Sequence, residues 1–139
     1  MSAQALLDRL SSVRRTGEGR WVARCPSHPD KRPSLAIREL SDGRTLVHCF
    51  AGCSIEEVLA AAGLEFDALF PERVIATHAP RQRRPFDAMS ILACCADEVH
   101  LVSIAADNLS HGIELTDIDR ARLRLAATRL ERAAEAANG

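Results

Sequence analysis

The chain has few of the residues that usually build the core of a small domain. Its 139 residues include no tyrosine, one tryptophan, four phenylalanines and two methionines. This length fits one domain, or a small module with an appendage. Small domains with a thin apolar core commonly need another source of stability, such as a bound metal.

Long apolar runs and an export signal are also missing. Asp97, Glu98 and His100 interrupt the most apolar segment, so no stretch reaches the roughly 18 residues typical of a membrane span. The N-terminus has no basic segment leading into an apolar one. The sequence therefore predicts a cytoplasmic protein with no membrane partner. In that reducing compartment, an odd number of cysteines (five) argues against a disulfide framework and for metal binding.

Charge is divided unevenly along a chain whose net charge is −1. Residues 1–85 carry 13 basic and 10 acidic side chains, whereas residues 86–139 carry 5 and 9. The basic excess lies in residues 20–53, whose basic side chains are Arg20, Arg24, Lys31, Arg32, Arg38 and Arg44. This is a mildly basic patch and not a basic protein.

Periodicity and turn signals predict an α+β fold in three parts. Residues 1–71 are expected to form a small domain with a leading helix, three short antiparallel strands and short helices. Residues 72–85 are rich in proline and arginine and are predicted to be a linker. Residues 86–139 are predicted to form an antiparallel helical hairpin.

The predicted element bounds follow from local patterns. The leading helix is expected within 3–13, TGEG at 16–19 is a turn, the strands lie at 20–25, 34–40 and 45–50, and the hairpin helices lie at 87–110 and from 116 to about 137. Ser54 and Glu57 form a capping box for a helix that ends at Gly63. Thr116 and Asp119 imitate the same box before the last helix.

Two clusters have the spacing of metal ligands: Cys25-x2-His28, and Cys49-x3-Cys53 after a gap of twenty residues. Sulfur and nitrogen donors without a carboxylate suit one tetrahedral, structural Zn²⁺ ion. The alternative is that these cysteines are small core residues and the histidine a surface residue. His48 is a second candidate nitrogen ligand, but its neighbour Cys49 should point to the opposite side of the strand. Cys94 and Cys95 are adjacent on a helix and are expected to be packed thiols.

Residues 18–71 resemble the CHC2-type zinc-binding domain of bacterial and phage DNA primases. The resemblance rests on Cys-Pro-x-His, then Pro-Ser followed by apolar residues, then Cys-Phe and a last cysteine before a helix. The residues that carry it are Cys25, Pro26, His28, Pro33, Ser34, Leu35, Ile37, Cys49, Phe50 and Cys53. The chain departs from the pattern by one extra residue between its last two cysteines.

The resemblance implies a zinc ribbon that contacts single-stranded DNA beside a separate catalytic Toprim domain. Residues 72–139 are too few for that domain and read as helical. Their Asp117-x-Asp119 pair lies at a predicted helix start, where carboxylates are favoured by the dipole. We therefore expect a non-enzymatic accessory in the replication of a phage or mobile element, acting in trans with a primase catalytic protein or a replicative helicase.

A ribbon that holds a single strand needs cations for phosphates and a surface for stacking bases. Phe50 is a possible stacking surface, and Trp21 is a second one that shares its strand face with Cys25. The near-neutral charge predicts modest affinity. The candidate DNA-binding residues are Arg20, Trp21, Arg24, Lys31, Arg32, Arg38, Arg44 and His48.

The alternative function is a zinc-stabilised protein-interaction module that regulates or inhibits replication or host machinery without binding DNA. Residues 88–106 are apolar on more than one side. A single helix exposed to solvent would not have so much apolar surface. The C-terminal helices are therefore expected to pack on the ribbon, on a second copy of the chain, or on a partner protein.

Overall fold

A computed structural model describes residues 2–70 and 85–138, and the fold of these residues is α+β. All of the predicted linker except Pro85 lies outside them. The elements, in chain order, are α1 (Ser2–Leu7), β1 (Arg14–Gly17), β2 (Arg20–Ala23), β3 (Leu35–Glu39), β4 (Thr45–Cys49), α2 (Ile55–Ala62), a 3₁₀ turn (Phe66–Leu69), α3 (Ala88–Cys94), α4 (Ala96–Ser110) and α5 (Asp117–Asn138).

The sheet has four strands in the order β1-β2-β3-β4, and each neighbouring pair is antiparallel. The sequence predicted three of these strands and placed a turn over 16–19. Instead, β1 reaches Gly17, and a tight turn ending at Gly19 (φ 63°) leads into β2. This strand was missed because Arg-Arg-Thr-Gly has no apolar residue to alternate. An edge strand does not require an apolar pattern, because its backbone hydrogen bonds to β2 keep it in the sheet.

The first of two cores lies on one face of the sheet. Leu35 and Ile37 of β3 are buried there with Leu6 of α1 and with Val58 and Leu59 of α2. The helix α2 begins as predicted, with reciprocal hydrogen bonds between Ser54 and Glu57. It ends at Gly63 in the left-handed conformation (φ 71°). This capped helix closes the core beside the ends of β2 and β4.

The second core lies on the opposite face. Val22 and Ala36, which are neighbours in the β2–β3 register, are fully buried there against Phe86, Ile91 and other residues of the C-terminal region. Alternate residues of β2 thus serve the two cores, as the strand period requires. The C-terminal helices α3 and α5 therefore pack on the sheet and bury one side of it.

The prediction of a single helix over 87–110 is wrong. The chain turns between α3 and α4 by 62°, and Cys95 leaves helical geometry at the break (φ −102°, ψ 4°). Cys94 and Cys95, which stand at this bend, are both buried in the second core. Three helices follow the linker, so the two-helix hairpin is not confirmed.

We find no single helix in residues 2–70 and 85–138 with the length and apolar character to cross a membrane. Only α3 and α4 taken together reach the required length and composition, and they are bent relative to each other.

Candidate metal centre

The sheet brings the four predicted ligands together at one end. Cys49 is the last residue of β4 and pairs with Leu35, and Cys25 lies two residues beyond the end of β2. His28 is in the loop between β2 and β3, and Cys53 directly precedes the cap of α2. One ligand atom from each residue lies within 4.8 Å of the others. The cluster can therefore hold one metal ion.

The extra residue between the last two cysteines is accommodated by a tight turn. Gly52 has a φ of 104°, which L-amino acids with side chains rarely adopt. Its N–H donates a hydrogen bond to the carbonyl of Cys49 at 3.2 Å. The turn between Cys49 and Cys53 thus requires glycine at position 52 to bring Cys53 back to the cluster.

The two nitrogens of His28 face different groups. Nδ1 lies 3.1 Å from Sγ of Cys53 and 4.0 Å from Sγ of Cys49. Nε2 lies 3.4 Å from Oγ of Ser34 and 3.7 Å from Oδ1 of Asp30. The ring is therefore oriented to bind a metal through Nδ1 and to direct its Nε2–H toward the hydroxyl and the carboxylate, an arrangement common for metal-bound histidines.

Asp30 holds together the loop between β2 and β3 (residues 24–34), which carries Cys25 and His28 and is called the metal-binding loop below. Its Oδ2 accepts hydrogen bonds from the N–H of Cys25 at 2.9 Å and from the hydroxyl of Ser34 at 2.6 Å. Its Oδ1 faces His28. Sequence reasoning counted Asp30 only as an acidic charge, because these three partners become neighbours only when the loop closes.

Asp30→Asn is expected to weaken metal binding about 10- to 100-fold, the usual effect of losing a group that orients a ligand. The asparagine keeps the shape but loses the negative charge and one acceptor. Competition with a chromophoric chelator measures the change in affinity. Asp42→Asn, at an exposed carboxylate in the β3–β4 turn, is the matched control and should leave the affinity unchanged. Equal affinities for both variants would show that Asp30 does not support the ligands.

The thiols influence one another strongly. The contact with Cys49 raises the pKa of the Cys25 thiol, and the same contact lowers the pKa of Cys49 to about 5. Burial raises the pKa of Cys53. Thiolates packed this closely repel each other, so full deprotonation requires a cation among them. Three sulfurs and one imidazole form a donor set that favours a borderline-soft ion in a closed tetrahedral site.

The other sulfur and histidine candidates lie outside the cluster. His48 points to the opposite face, where its ring contacts Phe50 at 4.6 Å and Phe86 at 5.9 Å between centroids. Cys94 and Cys95 are buried in the second core, as packed thiols would be, and burial raises the pKa of Cys95 to about 11.

The eight predicted DNA-binding residues fall at different places. Arg24, Lys31 and Arg32 are exposed at the metal end of the sheet, and Arg32 pairs with Asp97 at 3.1 Å. Near the opposite end, Arg20 and Arg38 face each other across β2 and β3, and Arg44 bonds Asp42 within the β3–β4 turn. The strands separate these two groups of cations, which therefore do not form one continuous patch.

Several of these side chains hold the C-terminal segment in place. Arg38 donates a hydrogen bond to the carbonyl of Pro85 at 2.8 Å, and Arg20 lies 4.0 Å from the carboxylate of Asp87. His48 contacts Phe86, as described above. These three residues line the sheet face that the C-terminal helices cover. Each of them therefore makes a contact within the fold that accounts for its position.

The aromatic candidates are mostly buried. Phe50 is 5% exposed within the second core and does not present its ring to solvent. Trp21 is half-buried and packs against the first core, which contains Cys25 and Cys49. Of the two predicted stacking residues, Trp21 thus keeps some accessible surface and Phe50 keeps almost none.

Comparison with protein families, with curated proteins and with solved structures found no match for this chain.

Proposed function

We propose that the chain is a zinc-stabilised accessory protein that binds single-stranded DNA in a primase-like replication system of a phage or mobile element. It acts in trans with a catalytic partner. The observation that carries the proposal is the cluster of Cys25, His28, Cys49 and Cys53, with ligand atoms within 4.8 Å. The loop that supplies His28 also carries exposed cations.

Zinc is the ion that best suits this donor set. The cluster offers three sulfurs and one nitrogen, and Asp30, the nearest carboxylate, contacts the ligands from outside. Four protein ligands complete a tetrahedral shell, which is typical of structural sites and leaves no position for a reacting group. The proposed role of the ion is therefore to fix the loop, and that of the loop is to present side chains to DNA.

The metal end is the part of the surface best suited to contact phosphates. Arg24 and Lys31 are exposed there, and in the described residues their side chains have no ion pair or hydrogen bond. Cations that are not neutralised by neighbours are available to displace counterions from DNA. By contrast, Arg44 is already paired with Asp42. We therefore place the contact at the metal end and not along the sheet.

Arg24→Gln is expected to weaken binding of a labelled single-stranded oligonucleotide about fivefold, because one phosphate loses its ion pair. Fluorescence anisotropy at several salt concentrations should also show the salt slope falling by about 0.7. Arg44→Gln, at the opposite end of the sheet, is the control and should bind like the unmodified chain. Equal losses for both variants, or no binding at low salt, would contradict the proposal.

The second candidate is a protein-interaction module, and the surface of the C-terminal helices favours it. Ile104 and Leu109 of α4 and Ile118 and Leu125 of α5 are exposed by 44% to 81%. A groove of about 410 Å³ between the two helices adds further apolar lining, including Leu101 and Leu123. A chain that fails to bind DNA in the anisotropy assay would support this function.

A further inference from the structure

A cavity of about 250 Å³ lies beside the metal centre, between the metal-binding loop and the C-terminal helices. The loop contributes His28, Lys31 and Arg32, and the helices contribute Arg122 and Arg129. A water molecule occupies about 30 Å³ of the liquid, so the cavity has room for a phosphate group. No sequence pattern linked α5 to the metal loop, and Arg122 and Arg129 were not candidates.

Cationic side chains outnumber carboxylates by one in the lining of this cavity. Its four cationic side chains face the carboxylates of Asp30, Asp97 and Glu98. Asp30 is used by the metal-binding loop, and Asp97 pairs with Arg32. Lys31 has no partner in the described part of the chain. The carboxylates are thus engaged, and one cation is left over.

Glu98 holds the two arginines of α5 in the cavity wall. Its side chain is 9% exposed, and a single oxygen, Oε1, accepts from Nη2 of Arg122 and from Nη1 of Arg129, both at 2.8 Å. One carboxylate thereby positions two guanidinium groups whose combined charge it does not cancel. Guanidinium groups fixed in this way are suited to bind phosphate through several hydrogen bonds.

Two donors in this arrangement lack an acceptor. Nη1 of Arg122 and Nε of Arg129 are buried and have no hydrogen-bond partner among the described residues. A buried donor without a partner costs free energy comparable to a lost hydrogen bond. The rest of each guanidinium group is accessible, since the Arg122 and Arg129 side chains are 35% and 23% exposed. A phosphate in the cavity would supply acceptors for these accessible N–H groups and a compensating negative charge, and the two buried donors would reach it only if the guanidinium groups rotate.

We propose that this cavity binds a phosphate group, held by Lys31, Arg122 and Arg129. As a backbone phosphate of single-stranded DNA it would extend the contact that begins at Arg24, and in this respect the inference rests on the proposed function. A free phosphate has the same recognition chemistry, so the experiment must separate the two sources.

The test is a titration of the metal-loaded full chain with inorganic phosphate, followed by the NMR signals of arginine Nε–H groups. Matched sodium chloride is the reference. The Arg129 Nε–H signal is expected to shift on saturation, because a phosphate bound beside this guanidinium group changes the electrostatic environment of the N–H. Lys31→Gln should weaken the affinity about fivefold without affecting the fold, since its side chain is exposed. Arg124→Gln, an exposed site on α5 outside the cavity, is the control and should change nothing.

A single-stranded oligonucleotide in the same assay separates the outcomes. A shift of Arg129 Nε–H by both ligands supports the inference and the proposed function. A shift by phosphate alone keeps the phosphate site and contradicts DNA binding. Binding of DNA that depends on Arg24 but is indifferent to Lys31→Gln, with no response of Arg129 to phosphate, overturns the inference and leaves the proposed function standing.

Discussion

Removal of the metal is expected to unfold most of the chain. The apparent free energy of zinc binding in small domains is about 10–16 kcal/mol. This is comparable to the whole free energy of unfolding of a typical domain, about 5–15 kcal/mol. The ligands Cys25 and Cys49 are themselves members of the first core. Without an ion, no group joins the four side chains, and the loop that carries His28 loses its anchor.

Circular dichroism during chelation measures this effect, and Cys49→Ser should reproduce it without a chelator. The control is Cys94→Ser, which changes a buried thiol outside the metal cluster. This variant should still bind one ion per chain and unfold only when the ion is removed. A chelated protein that keeps its full secondary structure would show that the two cores suffice without the metal.

Phe86→Ala is expected to lower the free energy of unfolding by about 3 kcal/mol, the lower end of the range for a buried phenylalanine. Phe86 is 9% exposed, and its ring contacts Phe50 at 6.3 Å between centroids. It is also the first buried side chain after the linker. The variant therefore tests whether the C-terminal region is an integral part of the fold.

Urea denaturation of the metal-loaded protein measures the change. Phe66→Ala makes the same substitution at a ring that is 53% exposed, and its effect should stay within about 1 kcal/mol. If the two variants lose the same stability, Phe86 does not pack on the sheet, and the second core is not formed by the C-terminal helices.

The candidate metal cluster could be predicted from the sequence because the spacing within each pair of residues is local. Each pair sits within a few residues, and a strand hairpin is the simplest way to join the pairs. The cap of α2 was equally local, since it is formed by reciprocal hydrogen bonds between Ser54 and Glu57, which are three residues apart. The structure brings the four predicted ligand atoms within 4.8 Å of one another and forms the predicted cap, so residue patterns were sufficient to predict both arrangements.

Features that depend on long-range packing were not accessible. The edge strand β1 carries no apolar pattern, and the break at Cys95 separates α3, which packs on the sheet, from α4. Similarly, Arg20 and Arg38 were predicted to contact DNA, whereas in the structure they contact Asp87 and Pro85 of the C-terminal segment. The ion pairs of Glu98 with Arg122 and Arg129 join residues that are 24 and 31 positions apart, so no local sequence pattern indicates them.

The packing of α3 and α5 on the sheet also limits where the proposed contact with DNA can lie. A ribbon with an open sheet would offer its face to a single strand, but this face is the second core. The binding surface we propose is instead the end of the sheet, where the metal-binding loop meets α5. This assigns the C-terminal helices a direct role beside the metal centre.

X-ray absorption at the zinc edge of the purified protein tests the central claim most directly. The account predicts one zinc per chain, with three sulfur neighbours at about 2.3 Å and one nitrogen neighbour at about 2.0 Å. Protein that contains no zinc, or zinc with an oxygen-rich shell and no sulfur, would contradict it.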